Sequence, residues 1–155
     1  MKPTPPHHYT ECGLDYIYLT DGFEVIRTDH GPVVHIENAS KLDRAIASTV
    51  IRFRKRLGGN EVRFLRGLMD WTQEELGQTL GKDAQAVARW EKGKTQLPST
   101  EDIAIRQIYL ELSGSRQKWL ETSRMVSALT HQIKSIKFKA AGGRGGRPTT
   151  WSVAT

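Results

Sequence analysis

With 155 residues, the chain has room for one full domain plus a small companion or tail, and its 37% hydrophobic content is low but adequate for a compact core. No apolar run approaches the roughly 18 to 20 residues of a membrane span. The opening MKPTPPHHY lacks the apolar core of a secretory signal and Cys12 has no partner for an internal disulfide, so an intracellular, cytoplasmic protein is expected.

The formal net charge of +6 is unevenly distributed. Residues 1–59 carry 8 basic and 7 acidic side chains (+1), residues 60–113 carry 7 and 9 (−2), and residues 114–155 carry 8 and 1 (+7). Any attraction of the middle segment for a polyanion therefore requires its basic groups to be clustered on one face, while long-range attraction concentrates in the last segment.

In chain order, Tyr16 to Leu19, Phe23 to Thr28 and Val33 to Glu37 are short β-branched or aromatic runs, separated by Thr20-Asp21-Gly22 and Asp29-His30-Gly31-Pro32. They predict a three-stranded meander. Ser40 is placed to cap a helix whose apolar positions Leu42, Ile46, Val50 and Phe53 suit packing on that sheet. Arg52 to Arg56 with Gly58-Gly59 form a link to the middle segment. So small a core needs a neighbour, either the other domain or a second copy.

From Asn60 the punctuation changes. Val62, Leu65 and Leu68 recur at helical spacing. Thr72 with Glu75 forms a capping box for a second helix, which ends at Gly81. Asp83 caps a third, from Ala84 to Lys92, that buries Val87 and Trp90, turns Gln85, Ala88 and Arg89 outward, and closes at Gly93. This is the spacing in which one helix crosses the phosphate backbone and holds the next in the major groove of DNA.

From Glu61 to Pro98, TQEELGQTLG followed by AQAVARWEKGK and Pro98 resembles the Cro/CI-type (XRE) helix-turn-helix. Gly77 stands where that family usually has Ala, and both are small enough for a close helix contact. The resemblance implies a lambda-repressor-like bundle in which Ala84, Gln85, Ala88 and Arg89 face base edges, while Gln73, Lys82, Lys92, Lys94 and Thr95 approach phosphates. The chemistry agrees: Gln can pair with adenine, Arg with guanine, and an Ala methyl can touch thymine. By the same resemblance, Arg66 and Glu91 form a structural ion pair between the first and third helices.

Ser99 caps a further helix through Ile103, Ile105, Ile108 and Leu112, which Ser113-Gly114-Ser115 breaks. A three-four repeat of Trp119, Val126, Leu129, Ile133 and Ile136 then predicts an amphipathic helix over 114–139, whose seam needs a partner. The remaining 140–155 is Gly-rich and cationic and reads as a flexible tail. Its Arg-Gly-Gly-Arg-Pro resembles the core of AT-hook arms with one extra Gly, which makes Arg144 and Arg147 candidates for a minor-groove arm.

YTECGLDYIYL followed by DGFE also resembles the N-terminal part of MqsA/YgiT-type antitoxin regulators. Members of that group typically bind a structural zinc through two Cys-x-x-Cys pairs, and this chain has only Cys12, so neither the zinc nor the toxin contact carries over. His7, His8, Cys12, His30 and His35 have no spacing that specifies a zinc site. No catalytic constellation, metal or cofactor is expected.

The expected fold is α+β and mainly α, in four parts: a meander with one helix (1–59) for dimer or partner contact, a helix-turn-helix bundle (60–113), an amphipathic helix (114–139) and a flexible basic tail (140–155). Two functions fit. One is a homodimeric transcriptional (auto)repressor on a double-stranded DNA operator; the other is an antitoxin that binds a toxin protein and autoregulates their operon.

Overall fold

The computed structural model describes residues 5–114, 135–142 and 148–154. The elements are β1 (His7–His8), β2 (Ile17–Leu19), β3 (Phe23–Thr28), β4 (Gly31–Ile36), α1 (Ala39–Phe53), α2 (Gly59–Leu68), α3 (Gln73–Thr79), α4 (Ala84–Glu91), α5 (Ser99–Leu112), β5 (Ile136–Gly142) and β6 (Pro148–Val153). The fold class is α+β and mainly helical. The chain divides into two units, Met1–Ile46 with Ile133–Thr155, and Ala47–Gln132.

In the first unit a four-stranded sheet has the order β1-β2-β5-β6. β2 runs antiparallel to β1 and parallel to β5, with Ile17 opposite Ile136 and Leu19 opposite Phe138. Between β2 and β5 in sequence lie the five described helices, so the sheet joins segments from opposite ends of the sequence. The buried residues of this unit include Leu14, Ile17, Leu19, Ile136, Phe138 and Trp151, together with Leu42 and Ile46 of α1.

Three expectations change here. The strands expected to form one meander separate, because the edge of β2 that β3 would need is taken by β5. The Thr20 amide and Oγ1 both donate to the Phe138 carbonyl, and Asp21 accepts from the Ala140 amide. Among the described residues β3 therefore pairs only with β4, as a separate hairpin with Val25, Ile26 and Val33 exposed. Secondly, Ile136 to Lys139, expected at the end of an amphipathic helix, lies in β5; Ile136 and Phe138 are buried while Lys137 and Lys139 are exposed, the period-two alternation of a strand. Thirdly, the described parts of the expected flexible tail, 140–142 and 148–154, mostly belong to the β5–β6 pair. That segment cannot fold alone, but β2 supplies the hydrogen-bonding edge it needs. The rest of the seam (Trp119, Val126, Leu129, Ile133), with Arg144 and Arg147, lies outside the described residues.

The second unit is helical. Ala47, Val50 and Ile51 of α1 are buried, as are Val62, Phe64 and Leu65 of α2, Leu76 of α3, Val87 and Trp90 of α4, and Ile105, Tyr109 and Leu110 of α5. On α5 the inward face differs from the expected one. Ile103 and Leu112 are 49% and 57% exposed, and Asp102 and Arg106 are buried in their place. Arg106 Nε donates to Asp102 Oδ1 at 2.6 Å, while Nη1 and Nη2 donate to the carbonyls of Ile51 and Arg54 at 2.6 and 2.8 Å. A cation thus closes the C-terminal end of α1, where its carbonyls lack helical partners. The other oxygen of Asp102 accepts the Leu57 amide at 2.8 Å. Among the described residues no helix is long and apolar enough to cross a membrane.

Candidate nucleic-acid interface

α3 and α4 are set by their caps. Thr72 Oγ1 accepts the Glu75 amide at 3.1 Å and the Glu75 carboxylate accepts the Thr72 amide at 2.6 Å, which fixes the start of α3. Asp83 Oδ1 accepts the Ala86 amide at 2.7 Å and starts α4. Between them Gly81 adopts φ of 68°, a left-handed conformation that glycine enters without steric cost, and the Lys82 amide donates to the Gly77 carbonyl at 2.8 Å. Gly77 faces this turn so closely that a Cβ would lie 2.9 Å from the carbonyl oxygens of Lys82 and Asp83.

With Val87 and Trp90 buried, α4 turns Gln85 and Arg89 toward solvent, with Ala84 and Ala88 beside them. Exposed Lys82 precedes the helix, and exposed Lys92, Lys94 and Thr95 come after it. Lys82 lies 3.4 Å from Glu101.

The buried carboxylate of Glu91 joins the helices. Arg66 Nε and Nη2 donate to its two oxygens at 2.6 and 3.1 Å, a bidentate pair between α2 and α4. Arg66 Nη1 also donates to the Trp71 carbonyl at 2.8 Å, which ties down the turn into α3. Gln73 Nε2 donates to Glu91 at 2.8 Å, so this side chain, expected toward phosphate, has one N–H engaged inside the domain. Arg63, which sequence reasoning passed over, lies 3.5 Å from Glu91 with 57% of its side chain exposed. Burial raises the Glu91 pKa, but hydrogen bonds from Arg66 and Gln73 and the charges of Arg66 and Arg63 together outweigh it and hold the carboxyl below its usual range.

The carboxylates of this unit are therefore not distributed as composition suggests. Glu61, Glu91 and Asp102 are all buried, and they pair with Arg54 at 2.9 Å, with Arg66, and with Arg106. Each pair is charge-matched, so three carboxylates are withdrawn together with three guanidinium groups, two of which (Arg66 and Arg106) belong to the same segment. A local signal existed for one pair, since Asp102 and Arg106 stand four residues apart on one helix.

The Helix-turn-helix family model matches residues 62–104. That segment is a Cro/CI-type helix-turn-helix. No curated protein and no solved structure matches the chain. The helix-turn-helix supports a DNA-binding transcription regulator of the XRE type.

In the other unit, Cys12 is half-buried, and its Sγ donates to the Tyr9 and Leu14 carbonyls at 3.5 and 3.9 Å. Burial pushes this thiol up to about 11, so it stays protonated and a poor nucleophile or ligand at neutral pH. Among the described residues no three His, Cys, Asp or Glu side chains gather to hold a metal ion.

Proposed function

We propose that the protein is a homodimeric transcriptional repressor, controlling its own promoter among others, that reads an operator through α4. One observation carries this reading: α4 is anchored by Val87 and Trp90 and presents Gln85 and Arg89 outward with the small Ala84 and Ala88 beside them. That face suits close approach to base edges, Gln85 to adenine and Arg89 to guanine. Lys82, Lys92, Lys94 and Thr95 then hold phosphates on either side. Gln73 joins them through the second N–H of its amide, the first being used to fix the side chain on Glu91. Two copies reading half-sites about one helical turn apart give the operator two-fold symmetry, and occupancy excludes polymerase.

Substitution separates base reading from backbone holding. Arg89→Ala is expected to lose about 1 to 3 kcal/mol of discrimination at one base position while non-specific binding is nearly retained. Lys94→Ala is expected to weaken all sequences alike and to reduce the salt slope by about one. Titration of operator and unrelated duplexes over a salt series measures both. Equal loss on all duplexes for Arg89→Ala would remove it from the base readers.

A second reading, an antitoxin that binds a toxin protein and autoregulates the operon, is favoured by the β3–β4 hairpin, which exposes Val25, Ile26 and Val33 on a two-stranded element too small to need them there. A partner copurifying through residues 1–59 would select it; a partner-free homodimer on operator DNA would select the repressor.

A further inference from the structure

The joint between α1 and α2, residues 54–58, lies outside the matched segment, and its sequence reads as a plain link. Its backbone is pinned at both ends: the Arg54 carbonyl accepts from Arg106, and the Leu57 amide donates to Asp102. Leu57 is buried, and the two residues between the pins, Lys55 and Arg56, are exposed. Arg56 Nη2 donates to the Leu97 carbonyl at 3.3 Å, which holds the guanidinium beside the loop after α4. Just past the joint, Gly59 lies against the C-terminal end of α4, so close that a Cβ would meet the carbonyl oxygens of Trp90 and Glu91 at 2.5 and 2.6 Å.

The joint is therefore held against residues 90–97, the stretch that carries exposed Lys92 and Lys94. Residues 47–59 contain Arg52, Arg54, Lys55 and Arg56 and no carboxylate. The carboxylates packed around the joint, Glu61, Glu91 and Asp102, are all buried and matched to Arg54, Arg66 and Arg106, so they leave the charges of exposed Lys55 and Arg56 without an offset from these groups.

We propose that Lys55 and Arg56 form a second phosphate clamp, which grips the DNA backbone beside the strand segment held by Lys92 and Lys94. The proposal rests on the DNA-reading assignment of α4 and extends it to a segment outside the helix-turn-helix match. The pins on Arg54 and Leu57 matter energetically, because they fix the backbone beneath both cations before DNA arrives and reduce the ordering cost of binding. The contact is with phosphate, so it adds affinity and register without base preference.

The test uses the full chain and compares wild type, Lys55→Gln and the Lys55→Gln/Arg56→Gln double variant on the preferred duplex and on an unrelated one, across a salt series. Each lost phosphate contact lowers the slope of log K against log salt by about 0.9. The single variant is expected to lose about 0.9 and the double variant about 1.8, with affinity falling on both duplexes and their ratio unchanged. Charge-retaining Lys55→Arg is expected to keep the wild-type slope. Lys55→Gln needs no refolding of the joint, since that side chain is exposed, and so it remains decisive if the double variant is unstable. An unchanged slope for Lys55→Gln, with wild-type binding intact, would overturn the clamp and leave the reading of α4 standing. Wild type that binds no duplex at all would overturn both.

Discussion

At the scale of single residues, Glu91 carries more of the domain's geometry than any exposed side chain of α4. Its carboxylate accepts from Arg66 on α2 and Gln73 on α3 while its backbone belongs to α4, so one charge joins three helices. The Glu91 pKa is depressed in the folded protein from an ordinary value of 4.5. The stability it contributes is therefore fully present above about pH 4.5 and lost as pH falls through the lower, folded value. Asp43 in the other unit has the opposite sign: burial raises its pKa against the lowering effect of the Tyr9 hydrogen bond, so its ionised form costs stability near neutrality and acid relieves that cost. Glu91→Gln is expected to destabilise the domain by on the order of 3 kcal/mol at neutral pH, because Arg66 is left without its counter-charge. Denaturant unfolding at a series of pH values should show the gap to wild type narrowing below about pH 4.5; a gap independent of pH would mean that Glu91 acts by shape alone. Sequence resemblance anticipated the Arg66–Glu91 pair. It did not anticipate the role of Gln73, because a side chain that reaches back into its own domain leaves no trace in spacing.

At the scale of elements, legibility followed the range of the forces involved. The helix-turn-helix was readable because its signals are local: the Thr72–Glu75 box, the Asp83 cap and the left-handed Gly81 all act within four residues. The sheet was not, because β2 and β5 each depend on an edge supplied from the far end of the sequence. The alternation of Ile136, Lys137, Phe138 and Lys139 was present, but a three-four repeat running into Ile136 competed with it, and only the pairing with β2 decides between them. Gly77 is a finer case. Sequence comparison treats Gly and Ala there as equivalent, yet the turn approaches to within 2.9 Å of where a Cβ would stand. Gly77→Ala gains up to about 1 kcal/mol of helix propensity and meets an overpacking cost of about 1 to 3 kcal/mol. The expected net outcome is destabilisation on the order of 1 kcal/mol with weaker operator binding, as the turn between α3 and α4 is pushed apart. A thermal melt beside a binding titration checks this, and a more stable variant with unchanged affinity would show that the turn yields freely.

At the scale of the whole molecule, the chain divides into two units, one drawn from both ends of the sequence and the other lying between them in sequence, where the sequence alone predicts four consecutive parts. The charge balance changes meaning with scale as well. Residues 60–113 sum to −2, yet three of the nine acidic groups are buried against arginines, and the cations beside α4 remain exposed. Net charge by segment is thus a poor guide here, since the buried pairs cancel internally and composition counts charges without regard to which face they reach.

Whether α4 reads sequence is tested most directly by selection of random duplex DNA with the purified full chain at about 0.15 M salt. The expected result is enrichment of a palindromic motif with half-sites about one helical turn apart, whose specified positions are lost in Gln85→Ala and Arg89→Ala. Enrichment of no motif, or of a motif that survives both substitutions, would contradict sequence reading by α4.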